Sequence, residues 1–246
     1  MIKYNSKGQP RTIIRYNLDG SIKSTTRNWR FKGRLKQSET KNADGVTTKV
    51  INYDKNEKSK QIIHKNDEGE KLFVTTIKRN KDGLRTSSKI ADANGIINRE
   101  VTYNSEGQRE NIVRYDEDGE TVKSVTTRVH EGGKLVSSVT KRPDDTVIRE
   151  VDYDENQKPS ETKRYNSKNK LKSVTKIDYD SDGLIEKMTT TRVDGTVRKE
   201  VNFDANQKPI NITRYDKNGE LKSKTNIERE GDIRSKKIKR PKKRNY

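Results

Sequence analysis

Apolar and polar residues alternate in short runs along this chain, and Gly, Asn and Asp cut the runs at near-constant intervals. The clearest runs are Ile97, Arg99, Val101, Tyr103; Val147, Arg149, Val151, Tyr153; and Val197, Lys199, Val201, Phe203. Thr47, Lys49, Ile51 and Tyr53 hold the matching places earlier in the chain. A period of two puts each foursome on one face of a β-strand and leaves Glu100, Glu150 or Glu200 on the other. Thr, Val, Ile and Tyr, all good sheet formers, dominate these runs. No segment carries the apolar period of an amphipathic helix.

The punctuation is regular enough to count. Thirteen of the 15 glycines, from Gly8 to Gly219, fall on a ladder with steps of 12 to 14 residues. Where a step lacks glycine, Glu57, Asp145, Gln157, Asn169 or Gln207 stands in. Steps group in fours, giving a repeat of about 50 residues whose copies open at Tyr4, Tyr53, Tyr103, Tyr153 and Phe203. A second aromatic turn follows at Tyr16, Tyr115, Tyr165 and Tyr215, with Lys65 in that place in the second copy. A fixed period of this kind marks a repeat architecture. A turn of about four residues and a strand of about eight fill each step. The fold expected is therefore all-β, an elongated antiparallel meander of about 18 to 20 short strands, four per repeat, in an open or coiled sheet. Residues 1–233 form this repeat domain, and residues 234–246 a basic, flexible tail.

Composition alone points elsewhere. Ile, Leu, Val and Phe make up about 19% of the chain, charged residues 38%, and the net charge is +19. Such values fall on the disordered side of the usual divide. A disordered chain has no reason to hold glycine in register over most of its length, so a folded chain with a thin core is expected. The absence of cysteine excludes a disulfide framework, a thiolate metal site and a Cys nucleophile. No apolar stretch resembles a signal peptide or a membrane span. No compartment is assigned on these grounds: the cytoplasm, assembly in a particle and secretion by another route all stay open.

The segments VTYNSEGQRENIVRYDEDGETVKSVTT (101–127) and VNFDANQKPINITRYDKNGELKSKT (201–225) resemble the YD repeats of the Rhs family. Those are tandem β-hairpin repeats with a Tyr-Asp…Gly turn followed by an apolar residue and a Ser/Thr-rich strand. The resemblance covers residues 4 to about 235 and lies in rhythm more than in residue identity. It implies a hairpin spiral of the kind found in shells and stalks of secreted and cell-surface proteins, some enclosing toxins. The core and cleavage segment of the family is not recognisable here. The Lys- and Glu-rich meander is also similar in style to the single-layer sheets of spirochaete surface lipoproteins.

Candidate chemistry is sparse. Eight of the 13 residues in 234–246 are basic, Arg234, Lys236, Lys237, Lys239, Arg240, Lys242, Lys243 and Arg244, and none is acidic. Such a run suits nucleic acid, anionic headgroups or an acidic partner. Asp178, Asp180, Asp182 and Gly183 spell the opening of a calcium loop, but Thr189 stands where the bidentate Glu is needed. These three Asp residues are a weak metal candidate, and no metal or other cofactor is expected. His64 and His130 lack the convergent partners of a metal site or a triad. Carboxylates are numerous but no pair stands apart from its neighbours, as acid–base catalysis requires. Ser24, Thr26, Ser124, Thr126, Ser137, Thr140, Ser173 and Thr175 recur along strands, where sheet propensity accounts for them.

The function expected is that of a non-enzymatic β-repeat structural or binding protein. In that reading it is an assembly or surface scaffold subunit that pairs through its sheet faces or edges, with the basic tail on an anionic partner. The alternative is a nucleic-acid-associated basic protein, distinguished by steep salt dependence of binding. A third reading is a secreted Rhs-like, toxin-associated module.

Overall fold

The computed structural model describes the backbone of residues 1–230 and 233–239, and side chains through Ile227. Twenty strands and no helix are found among the described residues. Two compact units divide the chain, Met1–Val125 and Thr126–Tyr246. The first holds β1 (Ile2–Tyr4), β2 (Pro10–Tyr16), β3 (Ile22–Phe31), β4 (Arg34–Lys41), β5 (Thr47–Tyr53), β6 (Ser59–Lys65), β7 (Lys71–Arg79), β8 (Arg85–Asp92), β9 (Ile97–Tyr103) and β10 (Arg109–Tyr115). The boundary falls within β11 (Val122–Glu131). The second unit continues with β12 (Lys134–Lys141), β13 (Val147–Tyr153), β14 (Pro159–Tyr165), β15 (Leu171–Tyr179), β16 (Ile185–Thr191), β17 (Val197–Phe203), β18 (Pro209–Tyr215), β19 (Leu221–Glu230) and β20 (Ile233–Lys239). From β1 to β10, and again from β12 to β20, each strand runs antiparallel to the next in the chain. Each unit is the all-β antiparallel meander that the sequence leads one to expect.

One turn explains the ladder of glycines except at Gly33 and Gly133, which lie in two-residue turns with Lys32 and Gly132, both also at positive φ. At Asn5 the carbonyl accepts the Gly8 N–H at 3.0 Å, and the Asn5 N–H donates to the Gln9 carbonyl at 2.9 Å. The Asn5 Oδ1 accepts the N–H groups of Lys7 at 3.0 Å and Gln9 at 2.9 Å. This is a type I turn closed by a left-handed residue at the bulge, with Gly8 at φ 70. The same carboxylate or carboxamide pattern recurs at Asp54, Asn80, Asp92, Asn104, Asp154, Asn166, Asp180, Asp204 and Asp216. Arg142 and Arg192 open two turns instead; there Asp144 and Asp194 accept the N–H and hydroxyl of Thr146 and Thr196.

All five stand-ins for glycine take the same backbone, with φ between 55 and 64 at Glu57, Asp145, Gln157, Asn169 and Gln207. A non-Gly residue in this region costs about 1–2 kcal/mol. Four of them recover part of that cost with their side chains. Glu57, Gln157, Asn169 and Gln207 accept the N–H of Leu35, Leu135, Val147 and Ile185 at 2.6, 3.2, 3.0 and 2.9 Å. Each acceptor lies 22 residues after its donor, two turns on and therefore on the same edge of the meander. A hydrogen bond of this kind contributes about 0.5–1.5 kcal/mol.

The core is a seam on one face. Register carries Ser38 through Ile51, Ile62 and Thr75 to the same side as Ile77, Ser88, Val101 and Ile112. In the second unit it carries Ser138 and Val151 to the same side as Ser173, Val201 and Thr225. Among the described residues the buried apolar side chains are only Ile77, Val101, Ile112, Leu135, Val151, Val201 and Ile227. Hydroxyls fill the rest. Ser38, Ser88 and Ser138 are buried and pair with the phenol oxygens of Tyr53, Tyr103 and Tyr153 at 3.0, 3.2 and 3.3 Å. In the fourth copy Met188 and Phe203 hold these two places, so the hydroxyl leaves both positions together. That coupling follows from the cost of burying one polar partner without the other.

The expected tail is in part a strand. Ile233–Lys239, with Arg234, Lys236, Lys237 and Lys239, pairs with β19 from Glu230↔Ile233 to Lys224↔Lys239. Ladder hydrogen bonding, with Ile233 and Ile238 as sheet formers, outweighs the density of like charge. Arg240, Lys242, Lys243 and Arg244 lie outside the described residues.

Two outcomes are expected in urea melts. Ser88→Met and Tyr103→Phe each cost about 1–3 kcal/mol, while the double variant costs less than the sum. A strictly additive cycle contradicts the coupling. Gly195→Ala is expected to cost about 1–2 kcal/mol from its φ alone, because a Cβ there meets nothing within 4 Å. Gly119→Ala is expected to cost more, since its Cβ would lie 2.7 Å from Ile96 Cγ2 and 3.0 Å from the Ile97 nitrogen.

Candidate anion-binding groove

The same face that holds the seam carries cations directly opposite one another. Arg99 pairs with Arg114, Arg149 with Arg164, and Lys199 with Arg214, once in each of three successive copies. Like charges in directly opposed positions destabilise a sheet. Burial, and then repulsion from Arg114 and Arg109, pulls Arg99 below the usual arginine range.

In the second unit Arg164, Lys199 and Arg214 border a groove of about 600 Å³. Its floor is Ser173 and Thr175 of β15, Met188 and Thr190 of β16, and Val201 of β17. Arg164, Arg198, Lys199, Arg214 and Lys222 line it from the strands, and Arg192 and Lys217 from the turns. None of these cations lies within salt-bridge distance of a carboxylate among the described residues. Asp216, the carboxylate in the lining, accepts the N–H groups of Asn218 and Glu220, both at 2.9 Å. The Arg192 guanidinium is anchored to Thr196 Oγ1 at 3.3 Å, the Val197 carbonyl at 3.0 Å and the Tyr215 carbonyl at 2.9 Å. Thr175 and Thr190 pair through their Oγ1 atoms at 2.9 Å.

The sequence candidates are dispersed by comparison. Asp180 spends its carboxylate on the N–H groups of Asp182 at 3.0 Å and Leu184 at 2.8 Å, as a turn residue. Asp178 sits in β15 opposite Lys187, and all three Asp side chains are exposed. No group of three or more His, Asp or Glu side chains suited to a metal is present among the described residues. His64 stacks on Phe73 with ring centroids 4.3 Å apart. The threonine columns bond inward to themselves, as Thr26 does with Thr40 and Thr126 with Thr140, each at 2.9 Å. On the opposite face Tyr165 and Tyr215 donate to Glu150 and Glu200, both at 2.7 Å.

The groove itself was missed in the sequence. Its signal is the Arg-Tyr dipeptide at 114–115, 164–165 and 214–215, which lies one residue before each turn and reads as turn entry. Only the pairing register shows that each such Arg faces the in-line Arg99, Arg149 or Lys199.

No family model matches the chain, and no curated protein does. Solved structures it is similar to include a mutant of S. aureus TarM in complex with Fondaparinux, alpha-GlcNAc-glycerol and UDP. Identity is 10% and the TM-score 0.28, over 50% of this chain and 21% of that one. A second is the Photorhabdus luminescens Tc holotoxin pore with a TccC3 mutation, at 11% identity and TM-score 0.21, over 97% of this chain and 20% of that one. A third is a porin-like protein from Bacteroides uniformis, at 13% identity and TM-score 0.31, over 92% and 86% of the two chains. The chain spans about a fifth of the length of the TarM and TccC3 chains it matches. Among the described residues no helix is long and apolar enough to cross a membrane.

One titration on this face is directly testable. Burial, then the charge of Lys49, lowers the pKa of His64 from 6.5. The unfolded chain thus binds more protons than the folded one, and the contribution to stability is present above pH 6.5 and lost as pH falls through the folded value. The thermal midpoint is expected to drop between pH 7 and pH 5, and His64→Gln to flatten that slope. An unchanged slope in the variant contradicts the assignment.

Proposed function

We propose that the protein is a non-enzymatic β-repeat scaffold that assembles through its sheet and holds an anionic partner through its basic C-terminal segment. The observation that carries this reading is the recurrence of the same building contacts in copy after copy, the Ser–Tyr, Thr–Thr and Tyr–Glu pairs and the turn carboxylates. Displaced titrations support it. Asp144 and Asp194 are held below the usual range by the hydroxyls of Thr146 and Thr196, and Glu200 by Lys187 and then Tyr215. Each has a structural cause, and none belongs to a pair of carboxyls in contrasting environments. Assembly is supported by β1, which pairs with β2 and leaves Ile2 and Tyr4 exposed. An exposed strand of this kind is a template for pairing with a further chain.

The anionic contact is tested with the last residues neutralised and the strand β20 kept. Binding of the full chain to generic duplex DNA, used as a polyanion, is measured against salt. Replacing Arg240, Lys242, Lys243 and Arg244 by Gln is expected to lower the log–log salt slope by about three to four. Salt-insensitive binding, or a slope that the four replacements leave unchanged, overturns this part of the reading.

A further inference from the structure

The groove of the second unit has no role in that reading. Lys199 and Arg214 face each other across β17 and β18 without a carboxylate partner among the described residues, on the face where the seam is buried. A sheet that needed only solubility would place such a pair on its wetter face, or pair it with an acid as Lys187 is paired with Glu200 at 2.6 Å. The third cation is prepared for a ligand. Arg192 commits three of its N–H donors to Thr196, Val197 and Tyr215, which hold the guanidinium in place and leave two donors unused. In the Thr175–Thr190 pair one hydroxyl donates to the other, so the second keeps its proton for an outside oxygen.

Fixed guanidinium, flexible ammonium and hydroxyl donors around a volume of about 600 Å³ match the oxygens of clustered phosphates. They do not match nucleobases, which need aromatic faces to stack on. Tyr215 is the aromatic residue in the lining, and its hydroxyl is engaged by Glu200 on the opposite face. We propose that this groove binds a short chain of linked phosphates that carries no bases, of the inorganic polyphosphate class. Arg192 anchors one phosphate, and Lys199 and Arg214 neutralise the next.

The test is titration calorimetry of the full chain with sodium tripolyphosphate at low and at physiological salt. Lys199→Gln/Arg214→Gln is compared with Lys60→Gln/Arg11→Gln, which removes the same charge from the first unit. One site per chain is expected, weakened at least tenfold by the first pair and left within twofold by the second. Circular dichroism must show the same sheet content in both variants. Equal losses in the two variants, or no loss in the first, overturn the site. Tighter binding of oligothymidylate of equal charge overturns the ligand class. Duplex binding in the preceding test reads the last residues of the chain, and tripolyphosphate reads the groove, so either proposal can fail without the other.

Discussion

The structure depends on one local constraint, the need for a left-handed residue at each of the described turns. With so few buried apolar side chains, burial cannot dictate where each strand stops. The turn does so instead. At turns such as Asn5–Gly8 an Asn or Asp fixes the entry by accepting two backbone N–H groups, and the residue three positions on closes the turn with positive φ. Strand length, register and the face that each side chain meets all follow from that repeated event. A slip of one residue at any turn would carry the next strand's seam to the opposite face.

Much of this was legible in the sequence. The glycine ladder located the turns, and the replacements at Glu57, Asp145, Gln157, Asn169 and Gln207 were recognisable because the period demanded a left-handed residue there. All five have positive φ. Alternation placed Val101, Val151 and Val201 on one face, and all three are buried. Pairings between strands were harder to read, because they depend on how far apart in sequence two facing residues lie. Neither the Ser–Tyr contacts, 15 residues apart, nor the 22-residue reach of Gln207 leaves a mark in any single strand. The groove shared that fate: its cations were visible singly, and their opposition was not. The strand β20 escaped for another reason, since charge density spoke for an arm while the alternating backbone of β19 offered a ladder.

The distribution of charge is the feature that the fold does not require. Lys and Glu on the outer face find each other, as Lys89 does with Glu100 and Lys187 with Glu200. Exposed pairs of this kind contribute little to stability. On the seam face the opposed cations of three copies recur with no carboxylate within salt-bridge distance among the described residues. Repetition at one register through three copies separates this from the scatter of a solubilising surface.

The bonds that join turns two steps apart on the same edge have a consequence for modularity. Within a unit, each strand and each of these bonds reaches only near neighbours in the chain, so stability accrues as a sum of local increments. Inserting or excising one whole copy would disturb only the contacts at the new junction, such as the Ser138–Tyr153 pair that joins one copy to the next. Length is then a quantity that duplication of the gene can change freely, while the thickness of the sheet stays constant.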